Sequence, residues 1–119
     1  MDPQTLLAPL YDAINRHDVV AIGPLLTDDI DWPDQIDGGR LIGLEALAAY
    51  WARNELTIRV ELAPYAYGRA PDGRLWADVV MNVQNLRGQL WSESTVRHLF
   101  TLRDGRVARI DGEAVEQEG

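Results

Sequence analysis

The 119-residue chain contains neither cysteine nor lysine, and only two histidines. The missing cysteine removes disulfides, thiolate metal sites and thiol nucleophiles together; it fits a reducing compartment, and a cytoplasmic location is the expectation. The missing lysine excludes a phosphate-binding loop. The glycine-rich stretch GGRLIG at 38 to 43 has neither the spacing nor the preceding strand of a dinucleotide loop, and reads as turn chemistry. His17 and His98 lack metal-ligand spacing, so neither a metal nor a cofactor is expected. Long apolar runs are absent too. VVAIGPLL at 19 to 26 falls well short of the roughly 20 residues of a membrane span, and the N-terminus lacks a signal pattern. Basic residues are scarce, 11 against 19 acidic ones for a formal charge of −8. Such a surface repels phosphate backbones and anionic lipid, so nucleic acid and membrane are not expected partners.

What is present suffices for one core. With 46% hydrophobic residues, positions 1–119 read as a single domain. Leu6, Leu7, Leu10, Tyr11 and Ile14 recur at helical spacing, and Asp18 can cap a second helix carrying Val19, Ile22, Leu25 and Leu26. Pro9 lacks an amide hydrogen, so the first helix must start near it or bend there. IDWPD at 30 to 34 reads as a short strand, DGGR as a turn, and GLEALAAYWARN as a third helix with Leu44, Leu47, Ala48 and Trp51 on one stripe. From residue 57 the apolar period becomes two. Strands follow around Ile58 to Leu62, Leu75 to Gln84, Leu90 to Leu102 and Arg106 to about Glu113, with turns at APDG and Arg87-Gly88. This order predicts an α+β domain with helices on one face of a mostly antiparallel sheet. The acidic end from Glu113 to Gly119 is expected to fray.

Carried by YDAINRHD, IDWPD, GGRLIGLEALAAYW and HLFTLRDGRVARID, the order resembles the nuclear transport factor 2-like superfamily, in particular its SnoaL-like and ketosteroid isomerase-like branch. The resemblance spans nearly the whole chain. It implies a cone-shaped α+β barrel, three N-terminal helices packed in the concave face of a curved, mostly antiparallel sheet, with a pocket for a small apolar molecule in the concavity. Members include isomerases, cyclases, dehydratases, epoxide hydrolases and proteins without chemistry, so the fold does not settle function. The resemblance also implies departures. The aspartate base that precedes the strand-ending proline of ketosteroid isomerases is replaced by Trp32 before Pro33, and the oxyanion-binding aspartic acid two residues before a phenylalanine corresponds to His98 before Phe100. Tyr11 is an approximate counterpart of the oxyanion tyrosine, one position out when Asn15 is the anchor. Tyr50 and Trp51 match the aromatic pair of the third helix. Steroid isomerisation by that mechanism is rejected.

His98 shares a face with Val96, Phe100 and Leu102 and should point into the concavity, either as a satisfied core histidine or as a proton donor or base. Asp34 beside Trp32 could assist as acid or base, or be a solvated loop carboxylate. Trp32, Tyr50, Trp51, Tyr11, Phe100 and Ile110 are the expected ligand-binding wall, although aromatic stripes at helical spacing are commonly just core. His17, at a helix end, suits the helix dipole without further role. Two functions stay open: an enzyme doing acid–base chemistry of the isomerase, cyclase or hydrolase type, or a non-catalytic binding or dimerisation module. A continuous cavity on the order of a few hundred Å³ touching His98 and a second polar group would mark the enzyme.

Two placements follow from strand parity. Trp76, Val80 and Leu99, with Trp91 beside them, are large groups on a convex face that otherwise alternates with charge, and they predict a homodimer through that face. In the last hairpin, a two-residue loop at Asp104-Gly105 would set His98 against Asp111. A three-residue loop with Gly105 in a bulge would set His98 against Ile110. The second keeps Arg109 off the apolar face and is expected, with Ala108 and Ile110 inside and Asp111 a salt-bridging surface residue.

Overall fold

The structure, a computed structural model, describes residues 2–34 and 38–114. The end of the acidic tail, residues 115–119, lies outside them. Helix α1 (Pro3–Asn15) starts as its sequence invites, with Asp2 accepting from the Gln4 amide and Pro3 in the first turn. It runs through Pro9, which forfeits a single helix bond. Helix α2 (Val19–Ile22) is capped by the Asp18 carboxylate on the Ala21 amide. It is shorter than expected, because Gly23-Pro24-Leu25 tightens into a 3₁₀ turn and Leu26 already belongs to strand β1 (Leu26–Pro33). Strand β2 (Arg40–Ile42) lies where only turn chemistry was legible. Helix α3 (Leu44–Asn54) and strands β3 (Ile58–Arg69), β4 (Leu75–Asn85), β5 (Leu90–Arg103) and β6 (Arg106–Ala114) complete the chain.

The six strands form one unclosed sheet in the order β2-β1-β6-β5-β4-β3, antiparallel except where β1 runs parallel to β6. One face carries much of the buried core. Leu75, Ala77, Val79, Phe100, Val107 and Ile110 are buried there with Leu7, Leu10 and Tyr11 of α1 and Leu47 and Trp51 of α3. Asn15, the last residue of α1, ties the helix to β3, donating to the Leu62 carbonyl and accepting from the Leu62 amide, both at 2.9 Å. No helix among the described residues is long and apolar enough to cross a membrane.

The hairpin joining β5 to β6 follows neither expected register. Its loop has two residues, Asp104 and Gly105, both with positive φ, so Arg103 faces Arg106. A bulge at Ala108 then shifts the pairing: Thr101 opposes Arg109, Phe100 opposes Ile110, Leu99 opposes Asp111 and His98 opposes Gly112. The reason anticipated for a bulge holds, since Arg109 stays off the apolar face. The bulge lies inside β6 instead of in the turn, and Val107, not Ala108, is the residue buried beside Ile110. His98 does not meet Asp111, whose partners are Arg109 at 3.0 Å and Arg40 at 3.6 Å.

On the other face, Asp78 is buried under a two-pronged bond from Arg97 (2.6 and 2.9 Å), whose guanidinium lies 4.2 Å from the centre of the Trp76 ring. Trp76 in turn covers Gly68, its partner across the strands. A Cβ built on Gly68 would come within 2.2 Å of that ring. Gly68→Ala therefore has to displace a ring clamped from the far side by Arg97. It should cost about 1–3 kcal/mol, read as a lowered urea midpoint with an unchanged denaturant slope.

Candidate functional site

Among the described residues, one pair of buried polar side chains is bonded to each other inside the largely apolar core. Tyr11 on α1 and His98 on β5, 2% and 5% exposed, meet through a 2.7 Å bond between the phenol oxygen and Nδ1. Their rings lie nearly parallel, 5.9 Å apart, and Phe100 meets both edge-on. Helical spacing turns Tyr11 inward with Leu7 and Ile14, and strand alternation turns His98 inward with Phe100. Gly112, opposite His98, adds no side chain there. Burial pushes the His98 imidazole down to about 4. It pushes the Tyr11 hydroxyl well above its ordinary range, helped by Tyr67 and the Asp78 carboxylate. Both groups are therefore neutral at pH 7. Between them they hold two exchangeable protons and use one on each other; the second sits on Nε2 or on the phenol oxygen according to the tautomer.

This pair borders a small inner cavity of about 30 Å³, walled by Ile14, Trp32, Pro33, Leu62, Phe100 and Ile110. A second chamber of about 60 Å³ shares Ile14, Trp32, Pro33 and Leu62 with it and continues past Tyr50, Trp51, Ile58 and Val60 to His17, Asn54 and Glu55. A water needs roughly 10–15 Å³ measured in this way, so a ligand larger than a few waters has to part the shared residues. Pro33 also borders an open groove of about 430 Å³ that includes Met81 and Val96. The interior thus falls between the continuous cavity of an enzyme and a filled core.

The structure brings Tyr11, Trp32, Phe100 and Ile110 together around His98, and sets Tyr50 and Trp51 around the outer chamber, where Trp32 meets Trp51 edge-on at 5.8 Å. Asp34 borders neither chamber. It follows β1, where its backbone amide donates to the Gly39 carbonyl and its carbonyl accepts from the Gly38 amide. His17, set aside on sequence grounds, reaches the outer chamber, with Nδ1 bonded to the Glu55 carboxylate and its ring 6.0 Å from that of Trp51. Nothing in the sequence pairs residues 38 positions apart.

Residues 8–110 match the model of the SnoaL-like domain family. The chain belongs to that family. Among solved structures, a nuclear transport factor 2-like protein of unknown function from Burkholderia pseudomallei superposes with a TM-score of 0.79 at 19% identity, covering 97% of this chain and 92% of that one. A candidate polyketide cyclase from Pseudomonas putida gives 0.78 at 24%, with the same coverage. TerC, co-crystallised with polyporic acid, gives 0.77 at 20%, covering 93% and 89%. At these identities the likeness of this SnoaL-like chain to each is one of fold. No curated protein matches it by sequence.

The buried pair makes two predictions. Because the His98 pKa is lower in the folded than in the unfolded chain, the unfolded state binds the extra proton first as pH falls. Stability should therefore decline between about pH 6.5 and 4, by an amount of order 3 kcal/mol, and the decline should vanish in His98→Gln; urea titrations across that range check it. An NMR titration of His98 should be the same in wild type and Asp111→Asn, since Asp111 faces Leu99.

Proposed function

We propose that this SnoaL-like domain binds a small, largely apolar carbonyl compound and performs acid–base chemistry on it, with the Tyr11–His98 pair donating a proton or hydrogen bond to the carbonyl oxygen. In this reading the curved sheet closes over the helices as a cone and the two chambers are one binding site. Ile14 and Leu62 shift to admit the ligand between Trp32 and the inner pair. The observation that carries the reading is the 2.7 Å Tyr11–His98 bond at the edge of an otherwise apolar cavity. Two polar side chains in an apolar interior cost stability unless each is bonded, and a simple core would do as well with Phe and Leu there. As a neutral pair with one proton to give, they suit an oxygen that gains negative charge, because a donor in low dielectric acts most strongly on developing charge. The isomerase, cyclase and hydrolase types all share this step. The co-crystal of TerC with polyporic acid is consistent with an organic ligand in this fold. Asp34 has no part in the proposed proton transfer.

The rival reading, binding without turnover, is favoured by the small size of both chambers. One experiment separates the two. With tetralone, a fused-ring aryl ketone, in heavy water, the chain should shift the His98 ring resonances and speed deuterium exchange at the carbon next to the carbonyl. Tyr11→Phe should weaken binding by about tenfold and abolish the added exchange. Binding without exchange would favour the rival, and no movement of His98 at saturation would defeat the proposal.

We propose also that the chain forms a homodimer through the face opposite the helices. Trp76, Val80 and Leu99 are only half-buried within one chain, and Trp91 is 62% exposed. Sedimentation at micromolar concentration should give a dimer in the wild type and a monomer in Trp76→Arg.

A further inference from the structure

Of the eight large apolar side chains that stand exposed among the described residues, six gather at one end of the molecule. Leu86 and Leu90 flank the turn that joins β4 to β5, and Trp91 follows them. Leu56 lies two residues before Ile58, which opens the pairing of β3 with β4 opposite Asn85. The contact between His17 and Glu55 brings the start of α2, with Val19 and Val20, to the same end. Val20 and Leu56 are 86% and 75% exposed. Single exposed apolar groups are ordinary, whereas a gathering of them marks an interaction surface. The cations of this end are also unusual. Arg53 in the last turn of α3, Arg59 at the start of β3 and Arg87 in the β4–β5 turn are exposed and stand in no ion pair among the described residues. Arg16, Arg40, Arg74, Arg97, Arg103 and Arg109 each hold a carboxylate. With 19 acidic side chains to 11 basic, partners are not scarce, so three unmatched arginines at one end are a local feature. The formal charge of −8 averages over it. Residues 16–20, 53–59 and 84–92 carry four arginines against Asp18 and Glu55, and the next acids, Asp12, Glu61 and Glu93, are set back along α1, β3 and β5.

We propose that this end docks on an anionic phospholipid surface, with Leu56, Leu86 and Leu90 entering the boundary of the acyl chains and Arg53, Arg59 and Arg87 meeting lipid phosphates. Aliphatic and tryptophan side chains beside arginine suit that boundary, because a guanidinium pairs with phosphate while its neighbours leave water. The acidic remainder of the chain does not forbid it. Salt screens charges over about 8 Å at physiological ionic strength, and the molecule extends 40 Å along its long axes, so carboxylates at the far end do not feel the surface. An acidic polypeptide matches the charge, but it offers no continuous apolar layer to side chains spread over a helix end, a turn and a strand start. Trp91 also borders the face proposed for the dimer, so the docking is argued without it. The outer chamber reaches the surface at this same end, beside His17, Asn54 and Glu55. A docked chain would therefore take up an apolar ligand from the bilayer without passage through water. That consequence rests on the binding reading above; the docking does not.

Flotation of the full chain with vesicles tests the docking. Wild type should float with vesicles of phosphatidylcholine and phosphatidylglycerol at low salt, leave them as salt is raised, and bind phosphatidylcholine alone about tenfold more weakly. Arg87→Glu and Leu86→Asp change exposed side chains in a turn and should keep the wild-type melting temperature. Each should weaken binding to the mixed vesicles by about tenfold. Arg106→Glu makes the same charge reversal on an exposed arginine at the opposite end of β5, and should bind as wild type does. A wild type that stays off the mixed vesicles would overturn the proposal, as would equal losses in Arg87→Glu and Arg106→Glu, which would reduce it to overall charge. Retention on immobilised polyglutamate through Arg87, without flotation, would replace the lipid by an acidic polypeptide. None of these outcomes touches the inner pair, which is read by the His98 resonances with tetralone.

Discussion

The bond between Tyr11 and His98 joins the first helix to the fifth strand through the middle of an apolar interior, and the arrangement around it depends on its being made. Without this bond the buried Tyr11 hydroxyl would lose its acceptor or donor, at a cost of about 1–3 kcal/mol, and the bond thereby ties α1 to β5. That tie aligns Ile14, one turn further along α1, with Leu62 and Trp32 and creates the partition between the two chambers. Burial also keeps both partners neutral at pH 7. The contact that fixes the packing thereby also makes the pair a proton donor instead of an ion.

Most of the inward-facing set was legible in the sequence because it rests on periodicity alone. Spacing of 3.6 turned Tyr11 inward with Leu7 and Ile14, and spacing of two turned His98 inward with Phe100; no long-range information is needed for either. What was not legible depends on single residues that break a period. The bulge at Ala108 is one, since parity counted from the turn cannot see an extra residue in mid-strand, although the cost of facing Arg109 inward foretold that some bulge was required. Pro24 is another, closing the second helix a turn early and releasing Leu26 to the sheet. β2, only three residues long, has no period to read.

His17 and Glu55 were illegible for a different reason. Their meeting depends on how the end of α1 lies against the end of α3, and that is set by Asn15 on β3 and by the interior packing. The trace left in the sequence is negative: a histidine where a helix ending favours glycine. The face opposite the helices shows the converse. Asp31, Arg109 and Asp111 lie there in a chain of ion pairs joined by Arg40 from β2, and alternation within β1 and within β6 beyond the bulge suffices to set the first three outward.

The grip of Asn15 on Leu62 also bears on how copies of this chain avoid one another. β3 is twelve residues long and forms one margin of an unclosed sheet, so its outer edge would offer a row of free amides and carbonyls to the strand of any neighbouring molecule. The Asn15 side chain occupies the amide and the carbonyl of Leu62 in the middle of that row. Two residues on, Pro64 has no amide hydrogen to give, and the pairing with β4 bulges immediately after it. An incoming strand would find its ladder interrupted in mid-strand, so a single asparagine that anchors a helix also guards the molecule against edge-to-edge aggregation.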